Sequence, residues 1–137
     1  MSESDKTADT GTITRVSGPI VEADGMGGSR MYEVVEVGPD GLVGEIIKVI
    51  GDIATVQVYE HTSGLQPGML VKRRKRELSL QLGPGLLGNI YDGIQNPLEV
   101  FREQIGPFIK RGAKASPLDE ETEWDFEPLV EQGDQVE

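Results

Sequence analysis

Gly and Pro together occupy 26 of the 137 positions, 18 and 8 respectively. Nearly one residue in five therefore interrupts regular backbone, which leaves room for short elements joined by turns and disfavours a bundle of long helices. Between these breaks the chain is β-like. Thr12-Ile13-Thr14-Arg15-Val16 alternates polar and apolar, Ser17-Gly18-Pro19 turns it, and Ile20-Val21-Glu22-Ala23 resumes. After a loop at Gly25 to Gly28, the run Tyr32 to Val37 is β-branched and half-polar, and Gly38-Pro39-Asp40-Gly41 closes it. Leu42 to Ile50 is the next expected strand, with Gly44 as its bulge or bend; Gly51-Asp52 turns into Ile53 to Tyr59. Two further strands are expected at Met69–Lys72 and Leu78–Leu82.

Six or seven short strands with no long helix between them predict a mainly β fold, a small closed antiparallel barrel over residues 11–82. Closure removes the exposed edges that such strands would otherwise present. Beyond Leu82 the period changes. Leu86-Leu87, Ile90-Tyr91 and Ile94 recur at helical spacing, and Pro97 suits the first turn of a helix over Leu98–Ile105 that Gly106-Pro107 ends. Short helices are thus expected over 83–111. An extended acidic segment follows over 112–137, with a short strand near Trp124-Asp125-Phe126-Glu127 and a turn at Gly133 entering another. Residues 1–10 read as a disordered polar leader without the apolar core of a secretory signal, which points to an intracellular protein.

The net charge is -11, from 24 acids and 13 bases, and its placement matters more than its sum. Residues 119–137 hold nine acids and no base, so residues 1–118 are close to neutral at -2. With no cysteine, disulfides, thiolate metal sites and cysteine nucleophiles are excluded. No stretch reaches the roughly 20 apolar residues that a membrane-spanning helix needs, so no direct membrane insertion is expected.

Several motifs invite a sharper reading. Gly83-Pro84-Gly85-Leu86-Leu87-Gly88 fits G-x-G-x-x-G after a strand and before a helical pattern. Pro84, however, removes an N–H from the loop that would cradle phosphate, and a barrel series precedes it where a dinucleotide site has a βαβ unit. A structural turn is the better reading. The phosphate-loop pattern G-x-x-x-x-G-K-[ST] is absent: the only Lys followed by Ser or Thr is Lys6-Thr7, with Asp5 before it. His61 is the sole histidine and has no second ligand at metal spacing, and Glu60 beside it has no nucleophile to serve. Trp124 and Phe126 flank Asp125 and suit anchoring of that segment. No catalytic, cofactor-binding or metal-ligating set emerges. One candidate interaction loop remains, Lys72-Arg73-Arg74-Lys75-Arg76, five consecutive cations between two expected strands. Such a cluster gains affinity for phosphates by counterion release, but no aromatic lies within it to stack bases, which disfavours nucleic acid.

Read in order, these blocks resemble the catalytic A subunit of archaeal A-type ATP synthases and their V-type ATPase relatives. The resemblance is carried by Val16-Ser17-Gly18-Pro19-Ile20-Val21, by Met31-Tyr32-Glu33-Val34-Val35-Glu36-Val37-Gly38 and by Leu42-Val43-Gly44-Glu45-Ile46-Ile47. It continues through Gln57 to Gly68, Leu82-Gly83-Pro84-Gly85-Leu86-Leu87, Ile90-Tyr91-Asp92-Gly93-Ile94-Gln95 and Trp124-Asp125-Phe126. The resemblance implies that residues 11–82 are the barrel that packs beside other A and B subunits in the ring of the soluble head. It implies that 83–111 enter the nucleotide-binding domain and that 112–137 begin the inserted region peculiar to A subunits. ATP, ADP, magnesium, the phosphate loop and the catalytic glutamate belong to parts of the parent protein beyond this segment, so no cofactor is expected here. The expected location is cytoplasmic, peripheral on the cytoplasmic face of the cell membrane when assembled. Two positions depart from the family pattern: Asn96 stands where Arg is usual, and the five-cation run replaces a mild, often Gly-containing segment. The alternative reading is a freestanding barrel that binds a partner or nucleic acid through residues 72–76.

Overall fold

The computed structural model of the chain describes residues 9–105, 112 and 115–135. Six strands form: β1 (Thr10–Ser17), β2 (Ile20–Asp24), β3 (Glu33–Val37), β4 (Leu42–Ile50), β5 (Ile53–Val58) and β6 (Leu70–Glu77). They pair antiparallel throughout, in the order β1-β2-β5-β4-β3-β6, and β6 returns to β1 to close the barrel. The alternating sequence explains the closure. Inward positions carry Ile13, Val21, Val35, Val37, Ile46, Val56 and Val71, all fully or nearly fully buried, while most of their strand neighbours are half-buried or exposed, Val34 of β3 being buried as well. Met26 and Leu65, from the loops after β2 and β5, cap this core.

The hairpins follow the expected turn chemistry. Gly18 takes φ 59° in the two-residue loop joining β1 to β2, and Gly51 takes φ 59° between β4 and β5, a left-handed backbone that glycine adopts without cost. Gly44 plays another part than the expected bulge. The irregularity in β4 lies between Ile46 and Lys48. At Gly44 the β5 strand comes so close that a Cβ would stand 2.7 Å from Val56 Cγ1 and 2.9 Å from the Gln57 carbonyl oxygen.

The last third departs from the periodicity. The strand expected at Met69–Lys72 is longer, β6 running from Leu70 through the cations to Glu77, and the one expected at Leu78–Leu82 does not form. Residues 78–82 join no sheet. The buried Gln95 side chain holds them instead: its Nε2 donates to the Gln81 carbonyl at 2.6 Å, and its Oε1 accepts the Gln81 N–H at 2.6 Å. A side-chain amide thus takes the place of a neighbouring strand.

The helical spacing of Leu86 to Ile94 yields only a 3-10 turn, Pro84–Leu86, followed by turns. Gly88 (φ 86°) and Gln95 (φ 65°) adopt left-handed backbone that interrupts a helix. The helix expected after Pro97 forms as α1 (Leu98–Ile105) and buries Phe101. No strand forms near Trp124, and the residues of 119–135 are all exposed. Thr10 of the expected leader already belongs to β1, the turn at Gly133 forms, and Asp134 and Gln135 join no strand; residues 1–8, the Gly106-Pro107 stop and residues 136–137 lie outside the described residues.

Candidate functional site: the basic strand

The five cations stand on β6 and do not form a loop. Strand alternation therefore divides them. Lys72, Arg74, Lys75 and Arg76 are exposed, while Arg73 follows Val71 inward and keeps only 9% of its side chain accessible. Across the sheet β3 runs with the same period, so Glu33 shares its inward face with Val35 and Val37 and is 4% exposed. The two meet as a fork. Arg73 Nε donates to Glu33 Oε1 at 2.9 Å and Arg73 Nη2 to Oε2 at 3.0 Å, with Nη2 also reaching the Gly28 carbonyl at 2.9 Å.

The carboxylate accepts two backbone bonds as well, from Arg30 N and Lys75 N, both at 3.1 Å. The second has an architectural consequence. Between Arg73 and Glu77, β6 carries more residues than the facing stretch of β3, and Lys75 in that bulge takes φ 53°. Glu33 Oε1 holds the bulged N–H that the ladder leaves unpaired. Burial opposes ionisation of Glu33 most strongly, but the Arg73 hydrogen bonds and charge and the two backbone donors outweigh it. The carboxyl therefore lies below its ordinary 4.5. Arg73 is held more firmly protonated by its hydrogen bonds to Glu33, against the opposing effect of burial.

Two more cations are engaged inside the molecule. Arg74 pairs with Glu36 at 2.5 Å, and Lys75 Nζ with Asp9 at 2.6 Å. Three of the five cations thus tie β6 to β3 and to the residue before β1. A continuous phosphate-facing comb does not exist here. The partner acids Glu33, Glu36 and Asp9 escape motif reasoning. Glu33 alone leaves a trace in the sequence, as a carboxylate at an inward position of a β-branched alternating run.

The remaining singled-out residues are dispersed. His61 is an exposed residue of the β5–β6 connection, and no group of three or more His, Cys, Asp or Glu clusters at metal distance among the described residues. Glu60 Oε2 accepts the Gly112 N–H at 2.9 Å. The turn at Gly83 to Gly88 is covered by its own chain: Leu118 packs over Gly83 and Gly85, with Trp124 beside Gly85. The space where a phosphate would approach these glycines holds a leucine. Trp124 thus anchors its segment, whereas Phe126 is left 86% exposed. Asn96 closes a tight polar turn. Its N–H and Nδ2 donate to the two Asp92 oxygens, each at 2.8 Å, and the Ile94 N–H adds a third bond at 3.0 Å.

The described residues thus form a six-stranded closed barrel followed by a glycine turn and a Pro-started helix. The sequence model of the ATP synthase alpha/beta family, beta-barrel domain, matches residues 13–75, and the chain belongs to this family. Its relatives narrow the assignment to one type, the A subunit of A-type ATP synthases. The chain is 58% identical over 127 residues to that of Staphylothermus marinus, covering 93% of this chain and 22% of that protein. It is 56% identical over 126 residues to that of Thermococcus sibiricus, covering 92% and 22%. Against that of Halobacterium salinarum it is 48% identical over 136 residues, covering 99% and 23%. The chain therefore spans about a fifth of the length of the curated relatives it matches.

Proposed function

We propose that this chain supplies the ring-forming barrel of the catalytic A subunit in a proton-translocating A-type ATP synthase. Its part is assembly, and nucleotide chemistry belongs to the remainder of the parent protein. The observation that carries this reading is the closed barrel itself. Every strand has a neighbour on both sides, so another subunit is met through outward side chains, with no free strand edge to pair. The outer surface offers apolar side chains for such contacts, among them Ile50, Ile53, Tyr59 and Leu70, each at least 40% exposed. Neighbouring A and B barrels are the partners that this reading names. No helix among the described residues is long and apolar enough to cross a membrane, which suits a peripheral place on the cytoplasmic face.

The internal pairing of Arg73, Arg74 and Lys75 weighs against the alternative of a nucleic-acid module. Isothermal titration of the full chain with magnesium-ATP tests the assignment of roles. No binding heat is expected up to millimolar nucleotide, and saturable one-to-one binding or ATP hydrolysis would overturn it.

A further inference from the structure

Beside the Glu33–Arg73 pair lies an open cleft of about 680 Å³ between the β2–β3 loop and the end of β6. Arg30, Arg73, Lys75 and Arg76 line it against two carboxylates, Glu33 and Glu77, and with Asp9 paired to Lys75 the cleft is left one charge positive in a chain whose net charge is -11. Arg73 and Glu33 cancel at the floor, while Arg30 and Arg76 stand exposed at the walls. Met31 and Leu78, 49% and 40% exposed, add apolar surface to the same cleft. Arginine and methionine around an apolar seat are the side chains that protein interfaces favour.

The chain carries the complement. Residues 119–135 hold eight acids and no base. From Glu123 to Glu127 the order is acid, Trp124, acid, Phe126, acid, which in extended backbone sets an apolar edge against an acidic one. Trp124 leans on Gly85 of its own copy, so Phe126, at 86% exposure, is the aromatic left to engage elsewhere. Residues 119–135 and the cleft residues Arg30, Arg76 and Leu78 are all exposed within one copy, so the segment does not cover its own cleft.

We propose that this cleft is a docking groove for the acidic segment 119–135 of a second copy of the chain. Phe126 of one copy seats between Met31 and Leu78 of the other, and Asp125 and Glu127 face Arg30 and Arg76. The proposal rests on the cleft and the segment alone and is independent of assembly into an ATP synthase head.

Light scattering on size-exclusion chromatography of the full chain, at about 10 to 100 µM, provides the test. At low salt a dimer is expected. Raising salt from about 50 to 500 mM should weaken it about tenfold, since exposed charge pairs are screened over that range. Charge reversal in the groove (Arg30→Glu with Arg76→Glu) and in the segment (Asp125→Lys with Glu127→Lys) should each give a monomer, with circular dichroism confirming the barrel. Mixing the two variants is the decisive arm. The segment-reversed copy keeps an intact groove and the groove-reversed copy an intact segment, so the contact can re-form only between one of each. A heterodimer that requires Phe126 on the groove-reversed copy is expected. A chain that stays monomeric at low salt, a dimer that survives groove reversal, or variants that fail to pair on mixing would each overturn the proposal.

Discussion

Arg73 and Glu33, 40 residues apart in sequence, form a two-pronged ion pair inside the barrel wall, and the same carboxylate holds the bulged N–H of Lys75. One acid therefore does two jobs. It neutralises the only cation of the basic run that alternation sends inward, and it fixes the bend by which β6 leaves the barrel. Removing one partner of such a buried pair strands the other charge, which costs far more than the intact pair contributes.

Glu33→Gln is accordingly expected to lower unfolding stability by about 3 kcal/mol, read from the urea midpoint at neutral pH. Glu33→Gln combined with Arg73→Met, which removes both charges, should recover a large part of that loss. Equal loss in the single and double variants would show that the charge of Arg73 is not what the carboxylate serves.

The pH dependence has a definite sign. The Glu33 carboxyl ionises more readily folded than unfolded, so its contribution is present above the unfolded value near 4.5 and disappears as pH falls through its lower folded value. Urea midpoints of the native chain should drop below about pH 4.5, and Glu33→Gln should flatten that part of the profile. An unchanged slope in the variant would assign the acid sensitivity to other carboxylates.

Tyr59 gives a second, alkaline signature. Partial burial of a residue that is still 40% exposed, together with the hydrogen bond that its hydroxyl donates to Glu45 Oε2 at 2.6 Å, pushes its pKa up to about 12. The folded state thus holds this proton more tightly than the unfolded chain. The associated stability is present below pH 10 and is lost as pH rises from there toward 12. Ultraviolet titration should show a late tyrosine ionisation, and Tyr59→Phe should remove that step.

Gly44→Ala tests the close approach of β4 to β5. The added methyl meets Val56 and the Gln57 carbonyl, and backbone cannot swing aside as a side-chain end can. A loss of about 2 kcal/mol in unfolding stability is expected; a neutral result would mean that the strands separate easily at this point.

Gln95→Ala tests the amide that substitutes for a strand. Amide hydrogen exchange at Gln81 should speed up at least about tenfold while the β5 amides keep their protection. Loss of protection throughout the barrel would instead make Gln95 part of the global core.

How far the sequence alone reaches differs along the chain, for physical reasons. The barrel strands through β5 are legible because β-branched alternation and glycine turns act locally and agree with the final packing, as at Gly18 and Gly51. The basic run misleads because five like charges read as a solvated loop. They stand in a strand because β6 pairs with β1 and β3, and Glu33, Glu36 and Asp9, which only the closed barrel brings near, pair with three of them. Residues 78–82 read as a strand because Leu78, Leu80 and Leu82 alternate, yet their partner is a single glutamine side chain that no local pattern announces. The leucines and isoleucines from 86 to 94 have helical spacing, but Gly88 and Gln95 take left-handed backbone angles that interrupt a helix.

The role proposed for the chain as the ring-forming barrel is tested most directly by exchange. Residues 9–135 of this chain would replace the matching stretch of the Staphylothermus marinus relative, which shares 58% identity over 127 residues. The chimera would then be mixed with the B subunit of the same organism, and the products weighed by native mass spectrometry. The expected result is a mixed A and B ring of the same mass class as the parent's. A chimera that folds, with its barrel intact by hydrogen exchange, yet remains apart from B would contradict the assignment.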